Sequence, residues 1–174
     1  MRRPRRLAAA ALLLLCAAAP AAQAQVEEWA LYGGVFDLDR GQETWEAGVE
    51  ARLGGFAIPF GDRFALAVEP GFGLMGNGDG GGYLYTTLRF PLDGYWPASW
   101  PERLRVTPFT GVGLYAEGDG KDLGGPVEFR SGLEVAWRAG ERLSVGVGFY
   151  HLSNAVLYDR NPGEESLVVV LSWR

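Results

Sequence analysis

Beyond its first two dozen residues, the chain alternates between apolar and polar positions. In 126–137, Val127, Phe129, Leu133, Val135 and Trp137 fall on one parity, and Glu128, Arg130, Gly132 and Glu134 on the other. In 44–53, Trp45, Ala47, Val49, Ala51 and Leu53 oppose Glu46, Gly48, Glu50 and Arg52. In 104–116, Leu104, Val106, Val112 and Leu114 oppose Arg105, Thr107, Gly111 and Tyr115. A period of two sends successive side chains to opposite faces of a strand, so each segment has an apolar face and a polar, glycine-rich face. The pattern predicts eight strands, at about 29–36, 44–53, 64–74, 83–91, 104–116, 126–137, 142–153 and 165–174. The stretches between them, "DLDRGQ", "GNGDGGG", "EGDGKDLGG" and "RAGE", have turn chemistry. No helical period persists beyond a turn or two. The connection "DGYWPASWPER" (93–103) is long, and its Trp96 and Trp100 are candidates to seat it at a membrane interface.

Pattern alone does not say which face is inside. A soluble, lipocalin-like barrel turns the apolar face inward; a membrane barrel turns it outward. Three features favour outward. The polar face carries Glu46, Glu50, Glu69, Glu128 and Glu134 against Arg52, Arg89, Arg105, Arg130 and Arg142, a balance suited to a closed interior where charges find partners. Eight strands make a barrel whose interior side chains just fill it, and glycine there relieves crowding. Strand lengths are near the roughly 9–11 residues that a tilted membrane strand needs, and closure is compulsory in lipid because an open edge leaves backbone groups unpaired. The expectation is an all-β, eight-stranded antiparallel transmembrane β-barrel of outer-membrane type.

Targeting and charge support this. "MRRPRR", then "LAAAALLLLCAAAP", then Ala22-Gln23-Ala24 read as a basic start, an apolar centre and a small-x-small cleavage site. Residues 1–24 are therefore expected to be a cleaved signal peptide and 25–174 a single barrel domain. Cys16 raises a lipid anchor, against which stands the bulky Leu15 before it. The signal holds four of the sixteen basic residues, which leaves twelve against 21 acids, a balance of −9, and no cysteine. No basic stripe appears, so nucleic acid is not an expected partner.

The candidate chemistry lies in "GFYHLSNAVLYDRNPGEESL" (148–167), which contains the only histidine. Leu143, Val145, Val147 and Phe149 are apolar at odd positions, and His151 and Ser153 continue that series. Glu165 opens the odd series Leu167, Val169, Leu171 and Trp173. His151, Ser153 and Glu165 therefore share the apolar face. Same-face neighbours lie roughly 6.5–7 Å apart along a strand, and a hairpin brings Glu165 beside His151. Polar groups on a lipid-facing surface are costly and need a reason. With both chain ends in the periplasm, the 154–164 loop is extracellular and the three residues sit at outer-leaflet height. Ser153 is a nucleophile only if a base takes its proton. His151 is the available base, Glu165 holds its ring, and the Asn154 amide is a candidate oxyanion donor. The bland reading stands beside this one: Ser-Asn and Asn-Pro-Gly are ordinary turn formers, and Glu164-Glu165 can be a solvated loop end.

Through "FYHLSNA" (149–155) and "NPGEESL" (161–167), the chain resembles the outer-membrane lipid A deacylases, the PagL-type acyloxyacyl hydrolases. "GPVEFRSGLEVAW" and the closing "LVVVLSWR" add weaker support. The resemblance implies an outer-membrane barrel that hydrolyses the 3-O-linked acyl chain of lipid A in lipopolysaccharide. It implies His151 as base, Ser153 as nucleophile, Glu165 as third member and Asn154 in the oxyanion hole. Asn161, Pro162 and Gly163 are most simply turn residues, and Asn161 is, from its place in the loop, a candidate to position the loop or the substrate head group. It implies no metal or cofactor, and a homodimer in some members. Two departures stand out. Val156 occupies a position where the family can have a small residue, and the chain ends in Trp173-Arg174 rather than in an aromatic residue. A non-catalytic structural barrel and a soluble periplasmic lipid-binding barrel remain the alternatives.

Overall fold

The computed structural model describes residues 25–38, 41–61, 64–95 and 99–174. The expected signal, residues 1–24, and Trp96 lie outside the described residues. The strands are β1 (Val26–Phe36), β2 (Thr44–Leu53), β3 (Phe56–Phe60), β4 (Phe64–Asn77), β5 (Gly82–Arg89), β6 (Leu104–Ala116), β7 (Val127–Arg138), β8 (Leu143–Ser153) and β9 (Glu164–Trp173). Asp93–Tyr95 form a short 3-10 turn before β6. All pairings are antiparallel between sequence neighbours, except that β1 meets β9 and β2 meets β4. Those two closures leave an eight-stranded barrel, as the alternation predicts.

The ninth segment is a continuation of β2. Strand β2 runs along β4 from Glu46↔Asn77 to Arg52↔Gly71, and β3 follows on the same edge from Phe56↔Val68 to Phe60↔Phe64. Between Arg52 and Phe56 four steps on one strand answer three on the other, from Gly71 to Val68. A β-bulge at Gly54-Gly55 accounts for the extra residue. The alternation predicts a strand that ends at Leu53, whereas the paired edge continues past the two glycines to Phe60. Pro59 is tolerated because, among the described residues, the other edge of β3 has no strand beside it.

The apolar face points away from the barrel axis. Trp29, Trp45, Phe72, Leu84, Leu114, Trp137, Val147 and Val169 are exposed, whereas Glu28, Glu46, Glu50, Arg52, Arg89, Arg130 and Glu134 are buried. The interior is an ionic and aromatic core. Arg52 reaches Glu28 at 2.5 Å, Glu134 at 2.7 Å and Glu50 at 2.9 Å, and Arg89 reaches Glu134 at 3.0 Å. The Arg130 guanidinium lies 4.0 Å from the Tyr150 ring centroid and 4.6 Å from that of Tyr85. Interior glycines make room for such rings: a Cβ on Gly48 would come within 2.3 Å of the Tyr32 ring, and one on Gly73 within 2.4 Å of Tyr85. Charges buried this deeply persist only with partners in good geometry.

Two members of the expected charge balance are placed differently. Arg142 is exposed in the β7–β8 turn, because its strand starts one residue later, at Leu143. Glu69 is only part-buried, 3.6 Å from Arg105 at the end of the barrel where β1 begins and β9 ends. Glu28 and Glu164 join the interior instead. Lys121, from the β6–β7 connection, pairs with the fully buried Asp37 and ties that connection to the end of β1 across the same mouth of the barrel.

Candidate active site

The site is assembled by the hairpin of β8 and β9. Its register pairs His151 directly with Glu165, and β7 pairs Ser131 with His151 from the other side. Ser131, His151 and Glu165 thus form one polar row across three strands on the outward face. His151 Nδ1 lies 3.1 Å from Glu165 Oε1, with both side chains part-exposed, at 37% and 26%. Ser153 stands two residues along β8, in the row of Phe129, and also points outward. Its hydroxyl has no hydrogen-bond partner among the described residues.

Alternation separates Glu164 from Glu165. Glu164 pairs with Leu152, and both are fully buried in the interior. Glu164 Oε2 accepts from the Asp37 backbone N–H at 3.3 Å and the Ser166 hydroxyl at 3.0 Å. The carboxylate beside the imidazole is therefore that of Glu165.

The connection after Ser153 is held from several sides. Asn154 is fully buried. Its amide nitrogen donates to the carbonyls of Leu123 and Arg160, both at 2.8 Å, and its Oδ1 accepts from the Val156 N–H at 3.1 Å. Both amide protons of Asn154 are thereby engaged away from Ser153. The Asn154 backbone N–H donates to Asn161 Oδ1 at 3.0 Å, and the Asn161 amide nitrogen has no partner among the described residues. Arg160 pairs with Asp122 at 2.5 Å, and Tyr158 packs against Gly125, so the 154–163 and 117–126 connections form one body. Leu157 N–H closes a turn on the Asn154 carbonyl at 2.9 Å, and its two central residues, Ala155 and Val156, have φ of 50° and 62°. Turns of this form usually carry Asn or Gly, and a β-branched residue there is strained.

Two features of the site lay outside the sequence reading. Ser131 interrupts the apolar series of its strand, and that break is the sequence signal for it. The role of Asn154 as a clasp depends on contacts with Leu123, 31 residues away, for which no local pattern exists. Among the described residues, no group of three or more His, Cys, Asp or Glu is arranged to hold a metal ion.

The family model for lipid A 3-O-deacylase (PagL) matches residues 79–174, more than half of the chain and all of the strands that build this site. The chain belongs to that family. A solved structure, the crystal structure of the outer membrane enzyme PagL, superposes with a TM-score of 0.63 at 18% sequence identity, covering 84% of this chain and 99% of that one. At that identity the likeness speaks for the fold, and it extends the shared barrel over β1 to β4, which the family model does not reach. No curated protein matches the chain.

Proposed function

We propose that the chain is an outer-membrane serine esterase that hydrolyses the 3-O-linked acyl chain of lipid A. The observation that carries this reading is the His151–Glu165 contact at 3.1 Å on the outward, apolar wall of the barrel, with Ser153 next along the same face. A family whose members remove an ester-linked chain from lipid A supplies the substrate class.

In this reading the apolar wall meets the bilayer, and the substrate reaches Ser153 by lateral movement within the leaflet. The Ser153 hydroxyl attacks the ester carbonyl as His151 Nε2 takes its proton, and the carbonyl π electrons move to oxygen. Glu165 accepts a hydrogen bond from Nδ1–H, which fixes the tautomer and stabilises the imidazolium. The proton on Nε2 then passes to the sugar oxygen as the C–O bond breaks. Water, deprotonated by the same nitrogen, releases the fatty acid from Ser153. The oxyanion needs donors. Asn154 serves only by giving up its bond to Leu123 or Arg160, whereas the Asn161 amide nitrogen is unengaged among the described residues and its Oδ1 holds the N–H of Asn154, the residue after Ser153. We therefore assign Asn161 as a donor at the site and Asn154 as the residue that holds it there.

The test is the mass spectrum of lipid A from cells producing wild type or Ser153→Ala, with folding of both barrels verified. Wild type converts lipid A to a species short of one acyl chain, and Ser153→Ala does not. Conversion by the variant, or identical spectra with and without the wild-type protein, rejects the assignment.

A further inference from the structure

Gly163, the last residue before β9, lies against the His151 ring. A Cβ built on Gly163 would stand 2.7 Å from His151 Cε1 and 3.3 Å from Nε2, where ordinary contact begins near 3.4 Å. The same Cβ would lie 3.2 Å from the Leu152 carbonyl oxygen, which belongs to the β8 ladder and cannot give way. The neighbour free to move is the imidazole, the far end of a flexible side chain. Gly163 itself is not free to retreat. On one side Glu164 is paired with Leu152 in β9, and on the other Asn161 Oδ1 accepts from the Asn154 N–H.

We propose that Gly163 is a positioning residue: its bare Cα lets the His151 ring lie where Nδ1 meets Glu165 and Nε2 faces Ser153. The role goes beyond turn formation and rests on the triad reading above. Any side chain at 163 drives the ring outward by most of an ångström while leaving the strands intact. A misplacement of about 1 Å at a reacting group costs roughly a hundredfold in rate.

Gly163 also has a φ of +65°, so alanine there brings backbone strain as well as the clash. Gly80, in the β4–β5 turn, separates the two effects. Its φ is +75°, and a Cβ on it meets nothing within 4 Å. Gly80→Ala carries the strain without the clash.

The experiment uses protein folded in detergent and labelled with 15N-histidine. Since the chain has one histidine, each imidazole signal is His151. Gly163→Ala is expected to shift the Nδ1 and Nε2 signals and to lower kcat for deacylation of lipid A about a hundredfold, with KM within about twofold. Gly80→Ala is expected to leave the signals and kcat as in wild type. Unchanged ring signals in Gly163→Ala, or an equal loss in Gly80→Ala, overturns the proposal. Should Gly163→Ala not fold, the wild-type protein decides: a strong NOE between Gly163 Hα and His151 Hε1 supports the proposal, and its absence overturns it. The ring signals are read without turnover, so an inactive wild type refutes the esterase reading and leaves the positioning role separately decided.

Discussion

Val156 shows how much constraint the site places on single residues. A valine at φ +62° costs on the order of 1–3 kcal/mol. The strain is held by the Asn154 Oδ1 contact to Val156 N–H and by the turn closure on the Asn154 carbonyl. Replacing Val156 with glycine removes the strain and retains both bonds. We expect Val156→Gly to raise stability by about 1 kcal/mol, the relief being partly offset by glycine's greater freedom in the unfolded chain, as read by urea unfolding in detergent. A destabilised variant would mean that the left-handed pair is not strained. At this scale the sequence was informative about side-chain identity and poor on backbone state. His151, Ser153 and Glu165 were marked by parity, whereas nothing in "SNAVL" announces a turn with two left-handed residues and no glycine.

At the scale of elements, strand alternation assigns Glu164 and Glu165 to opposite faces. Glu164 bonds inward to Ser166 and the Asp37 backbone, and Glu165 bonds outward to His151. Glu165→Gln should lower the deacylation rate by about a thousandfold or more, since removing the third member of a triad costs that order. Glu164→Gln should leave it within a few fold. Measured initial rates of fatty acid release check both, and equal losses would contradict the division of faces. The alternation that makes this legible also gave seven of the eight barrel strands close to their observed limits. It failed between Leu53 and Phe64, where a bulge shifts the register and a proline sits on an unpaired edge. Periodicity is blind to a strand that changes phase midway.

At the scale of the whole molecule, the barrel keeps β8 and β9 in register around an ionic core. Arg52 touches Glu28, Glu50 and Glu134 at once. Arg52→Ala leaves those carboxylates short of a cation, at a cost of ~3–5 kcal/mol. Urea unfolding should show that loss, and the fraction that folds should retain its deacylation rate because the network lies inside the wall, away from the proposed outward triad. The sequence predicted a charged interior but paired it evenly. The structure moves Arg142 out and Glu28 and Glu164 in, since face assignment at strand ends depends on where a strand begins. The account as a whole stands on three side chains acting together on the outer wall. Its most direct test is the rate of acyl release from lipid A by Ser153→Ala, His151→Ala, Glu165→Ala and the triple variant, all confirmed as folded barrels. Side chains that act as a unit lose nearly the full effect with the first removal, so Ser153→Ala and the triple variant should fall to the same residual rate. Losses that multiply from one variant to the next, or a Ser153→Ala protein that still releases the chain, would contradict it.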